Sequence, residues 1–286
     1  MPDISDLPMQ RNHPLFRRFA IDGTVALSVG PLPTPYFVFD GHGVLIMGQA
    51  EPQAVARDFA DQAVFPVTTQ SGKAAMALFV CSFTDASLGP HLELQAVALC
   101  APTPDQRISD DPTAIAAALI SHPEWGLLSL HLWNDSSKVV AYNSEYLGLG
   151  AELASGDVAL GKDFRFVFQD AKGAPLISGQ LARKGFSDLR CVFSLMRSLG
   201  LHTVLRMARQ PFALAHLVNR KSAVLARNGR AQTITSADQM VVTRFAAKRD
   251  HLVLSGPLAT YGFTPLCYEH ISPFRFVYLH PDCAPV

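Results

Sequence analysis

The residues best suited to moving a proton in this chain stand two apart, His91 and Glu93, in the run HLELQAVALCA (91–101). Residues i and i+2 of a strand share a face, so imidazole and carboxyl would point the same way. A carboxyl held in an apolar cavity has a raised pKa and works as a general acid or base near neutral pH. Alternation with Leu92 and Leu94 leaves a second reading open, in which Glu93 lies on a solvated strand face. His91 is either the partner in an acid–base couple or a structural histidine. The ten histidines include no H-x-H or H-x-x-x-H pair, and no two of Cys81, Cys100, Cys191, Cys267 and Cys283 have C-x-x-C spacing. Neither a metal centre nor a cofactor is therefore expected. No G-x-G-x-x-G or G-x-x-x-x-G-K-[ST] phosphate loop occurs.

The elements that would hold these groups are mostly short strands. Val25–Met47 is cut by PLPTP and DGHG, which supply turn angles. KAAMALFVCSF (73–83), HLELQAVALCA (91–101), LLSLHLWN (127–134) and FRFVFQD (164–170) read as strands, and strand signals return in 240–245, 251–256 and 274–279. Residues 52–62 and 111–121 suit helices, the second with Asp111 as its cap and Pro112 in its first turn. Asp135 is expected to cap a short helix through 139–142, and Trp133 to line a cavity. Residues 186–219 are apolar at helical spacing. Residues 183–230 carry ten Lys/Arg against Asp188 alone. That region is either a basic face for an anionic group or the solvated side of helices packed on the sheet. One domain over 1–286 is expected, of α+β class and mainly β, a curved sheet or β-barrel with peripheral helices. Residues 1–24 would be an N-terminal arm, and 186–235 a helical basic insertion.

Composition narrows the function classes. Hydrophobic residues are 49% of the 286, charged ones 17%, and Lys+Arg balances Asp+Glu at 24 each. That provides a core and argues against nucleic acid as the partner. No apolar stretch reaches the ~20 residues of a membrane span. Acids and prolines occupy the first residues where a signal peptide needs a basic start, and the scattered thiols read as reduced, so a cytoplasmic protein is expected.

Taken in order, VLIMGQAEPQAV (44–55), LGPHLELQ (88–95), LWNDSSKVVAYNSEYLGLGAEL (132–153), DAKGAPLISG (170–179) and the closing 254–282 segment resemble the acetoacetate decarboxylase superfamily. The resemblance implies that Glu93 is the family's strand glutamate, Asp135 its acidic turn and Glu145 the acid opening its signature run. It also implies that Ala151 and Glu152 stand where the family has its Schiff-base lysine and the lysine beside it, and that Gln49 replaces a substrate-binding arginine. Ala151 cannot form an imine. The expected function is therefore acid–base chemistry on a carbonyl-containing small molecule, an oxo acid or polyketide-like compound, with a lyase, hydratase or cyclase outcome. Glu93 and His91 would be catalytic, and Gln49, Trp133, Glu145, Ala151 and Glu152 would lie around the substrate. The alternative is a non-catalytic protein that keeps the pocket for a carbonyl or acyl ligand. A homo-oligomer is expected in either case.

Overall fold

In the computed structural model of the chain, strand 91–101 has the bounds its sequence suggests. The structure describes residues 13–17, 19, 21, 23–200, 220–226 and 229–279, with backbone alone for 220–226 and 229–232. Its strands in chain order are β1 (Gly23–Leu27), β2 (Gly30–Thr34), β3 (Tyr36–Ala50), β4 (Phe65–Pro66), β5 (Thr68–Thr69), β6 (Ala74–Ala86), β7 (His91–Ala101) and β8 (Arg107–Ile108). They continue as β9 (Gly126–Asn134), β10 (Ala151–Leu160), β11 (Asp163–Asp170), β12 (Pro175–Ala182), β13 (Arg220–Ala226), β14 (Gly229–Arg244), β15 (His251–Leu254) and β16 (Thr264–Tyr278). Short helices decorate them: α1 (Pro14–Arg17), α2 (Pro52–Ala56), α3 (Ala114–Ser121), α4 (Ser137–Ala141) and α5 (Leu189–Leu199).

Strand pairing runs almost in a circuit. β7 pairs with β6, β6 with β3, β3 with β16, β16 with β14 and β14 with β13, all antiparallel. From there β13 meets β9 over two parallel pairs, Val224↔Leu127 and Leu225↔Leu128, and β9 pairs back onto β7. The same edge of β9 turns at its other end to β10, through Ala151↔Leu132, Glu152↔Trp133 and Leu153↔Asn134. Because that edge forks, the strongly curved sheet is the one of the two expected forms that is observed, joined at a short seam. β10, β11, β12 and β15 leave the fork as a second layer.

Both faces of the curved sheet are covered, which its apolar strands require. Val97 and Leu99 of β7 point inward with Tyr36, Ala77, Phe83 and Leu132. Leu94, Ala96 and Ala98 point outward onto Phe164, Phe166, Phe168 and Leu181 of the second layer. A leucine fully buried this way contributes about 1.5–3 kcal/mol. Close strand approach is met by glycine: a Cβ on Gly48 would stand 2.2 Å from the Thr264 carbonyl oxygen.

Several expected boundaries change. The 52–62 helix stops at Ala56 and tightens into a 3-10 turn over Arg57–Phe59. α3 starts at Ala114 with Thr113 at the cap position, while Asp111 instead pairs with Arg197. In 186–235 the helical character is confined to α5 among the described residues, since 220–226 and 229–244 are strands. Arg206 and Arg209 lie outside the described residues. Within the N-terminal arm, α1 buries Leu15 and Phe16 against Phe37 and Phe39.

Candidate active site

Glu93 points to the inner face of the curved sheet, directly opposite Cys81 on β6 and Asn134 on β9. It is 4% exposed. With Gln95, Phe79, Phe276 and Tyr278 it lines a cavity of about 50 Å³. That cavity adjoins an apolar lobe of about 60 Å³ bounded by Leu45, Met240 and Ile271, and Phe79 and Phe274 line both. Burial raises the Glu93 pKa from 4.5 to about 7, against the opposing pull of a hydrogen bond from Asn134. An ionised carboxylate loses water there and gains little in return. At neutral pH the group is therefore poised to give or take a proton.

A relay of amides holds that carboxyl. Asn134 Nδ2 donates to Glu93 Oε2 at 3.0 Å, and Asn143 Nδ2 donates to Asn134 Oδ1 at 3.1 Å. Asn143 is fixed by the wide helical turn Tyr142–Tyr146, and its carbonyl accepts from Leu149 N at 2.7 Å. The run YNSEY thus orients the amide that orients the acid. Since Asn134 occupies Oε2, the acidic proton belongs on Oε1.

His91 shares the inner face, as expected, but both its nitrogens are committed. Nδ1 lies 3.0 Å from the Gly89 carbonyl, which can only accept, so Nδ1 carries the proton. Nε2 then accepts from the Tyr36 hydroxyl at 2.8 Å. Burial lowers the imidazole pKa and keeps it neutral. It thereby holds Tyr36, which stacks on Tyr278 at 5.8 Å and 15°. Burial, and next the charge of Glu93, raise the pKa of both phenols, so they stay protonated donors.

The remaining candidates scatter. Trp133 lies on the outer face, stacked on His131 at 5.0 Å, because its register partner is the outward Leu94. Gln49 sits near the end of β3 and donates to Asp110 at 3.2 Å, away from the cavity lining. Glu145 is an exposed anchor for Ser28, accepting from its amide at 2.9 Å and from its hydroxyl. Asp135 caps no helix: Ser136 holds that position, and Asp135 Oδ1 accepts from Leu92 N at 2.7 Å. Ala151 is buried on the inner face through the register Gln95–Leu132–Ala151, whereas Glu152 is exposed on the opposite one. Among the described residues, none lining either lobe is a lysine. Asn143, Tyr36, Tyr278 and Cys81 were not singled out by their sequence context. Inward alternation through Phe274, Phe276 and Tyr278 was the available signal for one of them.

No protein-family model and no curated protein sequence matches the chain. Solved structures do. An acetoacetate decarboxylase from Legionella pneumophila subsp. pneumophila str. Philadelphia 1 superposes with TM-score 0.54 at 11% identity, covering 88% of this chain and 87% of that one. A second acetoacetate decarboxylase structure gives 0.53 at 11% identity, covering 86% and 87%. The enduracididine biosynthesis enzyme MppR complexed with pyruvate gives 0.48 at 10%, covering 85% and 87%. The two decarboxylase structures establish a shared fold, and a fold hosts many chemistries.

Proposed function

Starting from an acetoacetate decarboxylase-like fold, we propose that this chain is an enzyme acting on a carbonyl-containing small molecule, an oxo acid or polyketide-like compound, by acid–base chemistry. The observation that carries the reading is Glu93: buried, facing a largely apolar cavity, titrating near neutrality and oriented by two asparagines. Its carboxylate removes a proton from the carbon beside a carbonyl, and its acid form returns one to the resulting enolate. The Tyr278 phenol, on the same cavity wall, supplies a hydrogen bond to the oxygen that gains charge. Proton transfer of this kind serves a lyase, hydratase or cyclase outcome alike. Imine formation has no part, since the position that resembles the Schiff-base lysine is Ala151.

The experiment is proton–deuterium exchange in D2O, followed by NMR over a panel of β-oxo acids and β-diketones. Exchange beside the carbonyl in the wild type, lost in Glu93→Gln, is expected. Exchange that persists in Glu93→Gln would remove Glu93 from the chemistry. The second reading is a non-catalytic ligand-binding protein, favoured by the methyl of Ala151 on the inner face of the sheet. Saturable binding of a panel member without exchange would select it.

A further inference from the structure

On the outer face of the sheet, away from Glu93, two buried imidazole nitrogens have no hydrogen-bond partner among the described residues: Nε2 of His42 and Nε2 of His270. The two residues flank Phe164, with ring centroids 6.1 and 5.6 Å from it. His270 is 8% exposed and packs on Tyr268 at 5.4 Å. The Ala182 carbonyl close to the ring favours the proton on the ring nitrogen nearer to it, which leaves Nε2 with a lone pair. Burial keeps the ring neutral, with a pKa near 4. A buried acceptor left unpaired is costly, and native structures rarely keep one without a use.

His270 does not face solid packing. It borders an open cleft of about 340 Å³ whose other walls carry Lys162, from the β10–β11 turn, and Arg183 and Lys184, which follow β12. Gln239 and Ser272 add neutral polar groups. Of two carboxylates in the cleft's surroundings, one is engaged elsewhere and the other pairs with Lys184. Asp250 accepts from Ala182 N, Ala246 N, Arg249 and Tyr268, and Asp188, 3.8 Å from Lys184, caps α5. The cleft thus combines cations, which call for an anion, with one neutral acceptor, which calls for a proton. Carboxylates, sulfate and phosphodiesters meet the first demand but carry no proton at neutral pH. Orthophosphate meets both, and a phosphomonoester, with its second ionisation near pH 6, meets both in part.

We propose that this cleft binds a proton-bearing phosphate group, orthophosphate or a phosphomonoester, with Nε2 of His270 accepting its proton and Arg183, Lys162 and Lys184 holding its anionic oxygens. The site is independent of the Glu93 cavity, from which the curved sheet separates it. It also gives a use to part of the basic stretch 183–230.

The test is calorimetric titration of the full chain at pH 7.5 with inorganic phosphate and, at equal ionic strength, with sulfate. One phosphate per chain is expected, with sulfate weaker by roughly tenfold or more because it leaves Nε2 unpaired. Arg183→Gln, an exposed position, should weaken both anions by a similar factor. His270→Leu should erase the preference for phosphate while sulfate binding persists. Should that variant fold poorly, the wild-type His270 ring resonances, which must shift on phosphate addition, give the same information. Equal binding of the two anions, or phosphate affinity unchanged in Arg183→Gln, overturns the proposal. Phosphate binding accompanied by sedimentation with phosphatidic acid vesicles assigns a lipid headgroup as the source. Phosphate binding without it assigns a soluble phosphate, and both results sustain the site.

Discussion

The substitution Glu93→Gln exchanges the buried acid for a neutral group of nearly the same shape. The carbonyl of the introduced amide can still accept from Asn134 Nδ2, so the amide relay survives. What changes is the coupling of folding to protons. The wild-type carboxyl goes from 4.5 in the unfolded chain to about 7 in the native one. A raised acid favours the folded state fully below the lower value, and that advantage is lost as pH rises towards the higher one. Between pH 5 and pH 8 the two titrations diverge by nearly two pH units' worth of free energy, at about 1.4 kcal/mol each, or about 2–3 kcal/mol. Urea denaturation of both proteins across that range, with a common denaturant slope, reads the difference directly. The variant should gain on the wild type by about 2–3 kcal/mol from pH 5 to pH 8, most of it before pH 7. Parallel stability profiles would show that Glu93 ionises as freely in the fold as in water, and the argument from its burial would fail.

Asn134→Ala removes the donor that favours the ionised form, so the pH midpoint of Glu93-dependent exchange should move up by roughly one unit. A midpoint that falls or stays would disconnect Asn134 from the acid. Tyr36→Phe leaves Nε2 of His91 buried and unpaired, and should cost about 1–3 kcal/mol in urea melts. Borohydride with acetoacetate should leave the wild-type mass unchanged, whereas Ala151→Lys puts an amine on the inner face of the sheet and should trap an adduct. Adding Glu152→Lys should not improve trapping, because residue 152 faces away; a large gain in the double variant would contradict the observed register.

How far the sequence could be read depended on what each residue's neighbours do. β7 was readable to its ends because an apolar run of that length admits few alternatives, yet the direction of Glu93 was not. Strict alternation marks one face as different; with both faces covered, it does not say which is the cavity. Trp133 was misplaced for a specific reason. A register irregularity between Ala96 and Val97 in the β7–β9 pairing accompanies an arrangement with Asn134 opposite Glu93 and Trp133 opposite Leu94, and no residue type announces such a bulge. Asn143 owes its role to a turn that reaches across to another strand, a contact invisible in local spacing. The opposite faces of Ala151 and Glu152 were within reach, since adjacent strand residues always diverge. The helical period of 186–219 holds through α5, but the strands beyond it draw their stability from pairing with β16 and β9 rather than from local preference.

The fork at β9 makes β10 common property. Its first residues pair with Leu132–Asn134 and put Ala151 on the inner face, while Ala154 onward pairs with β11 and belongs to the outer layer. A rigid strand shared by two layers works as a lever. Repacking Phe164, Phe166 or Phe168, none of which faces the cavity, would tilt the strand whose near end stands beside Asn134 and, through it, Glu93. Selection for a better-shaped pocket in such a fold can therefore act on residues of the outer layer as well as on the lining itself.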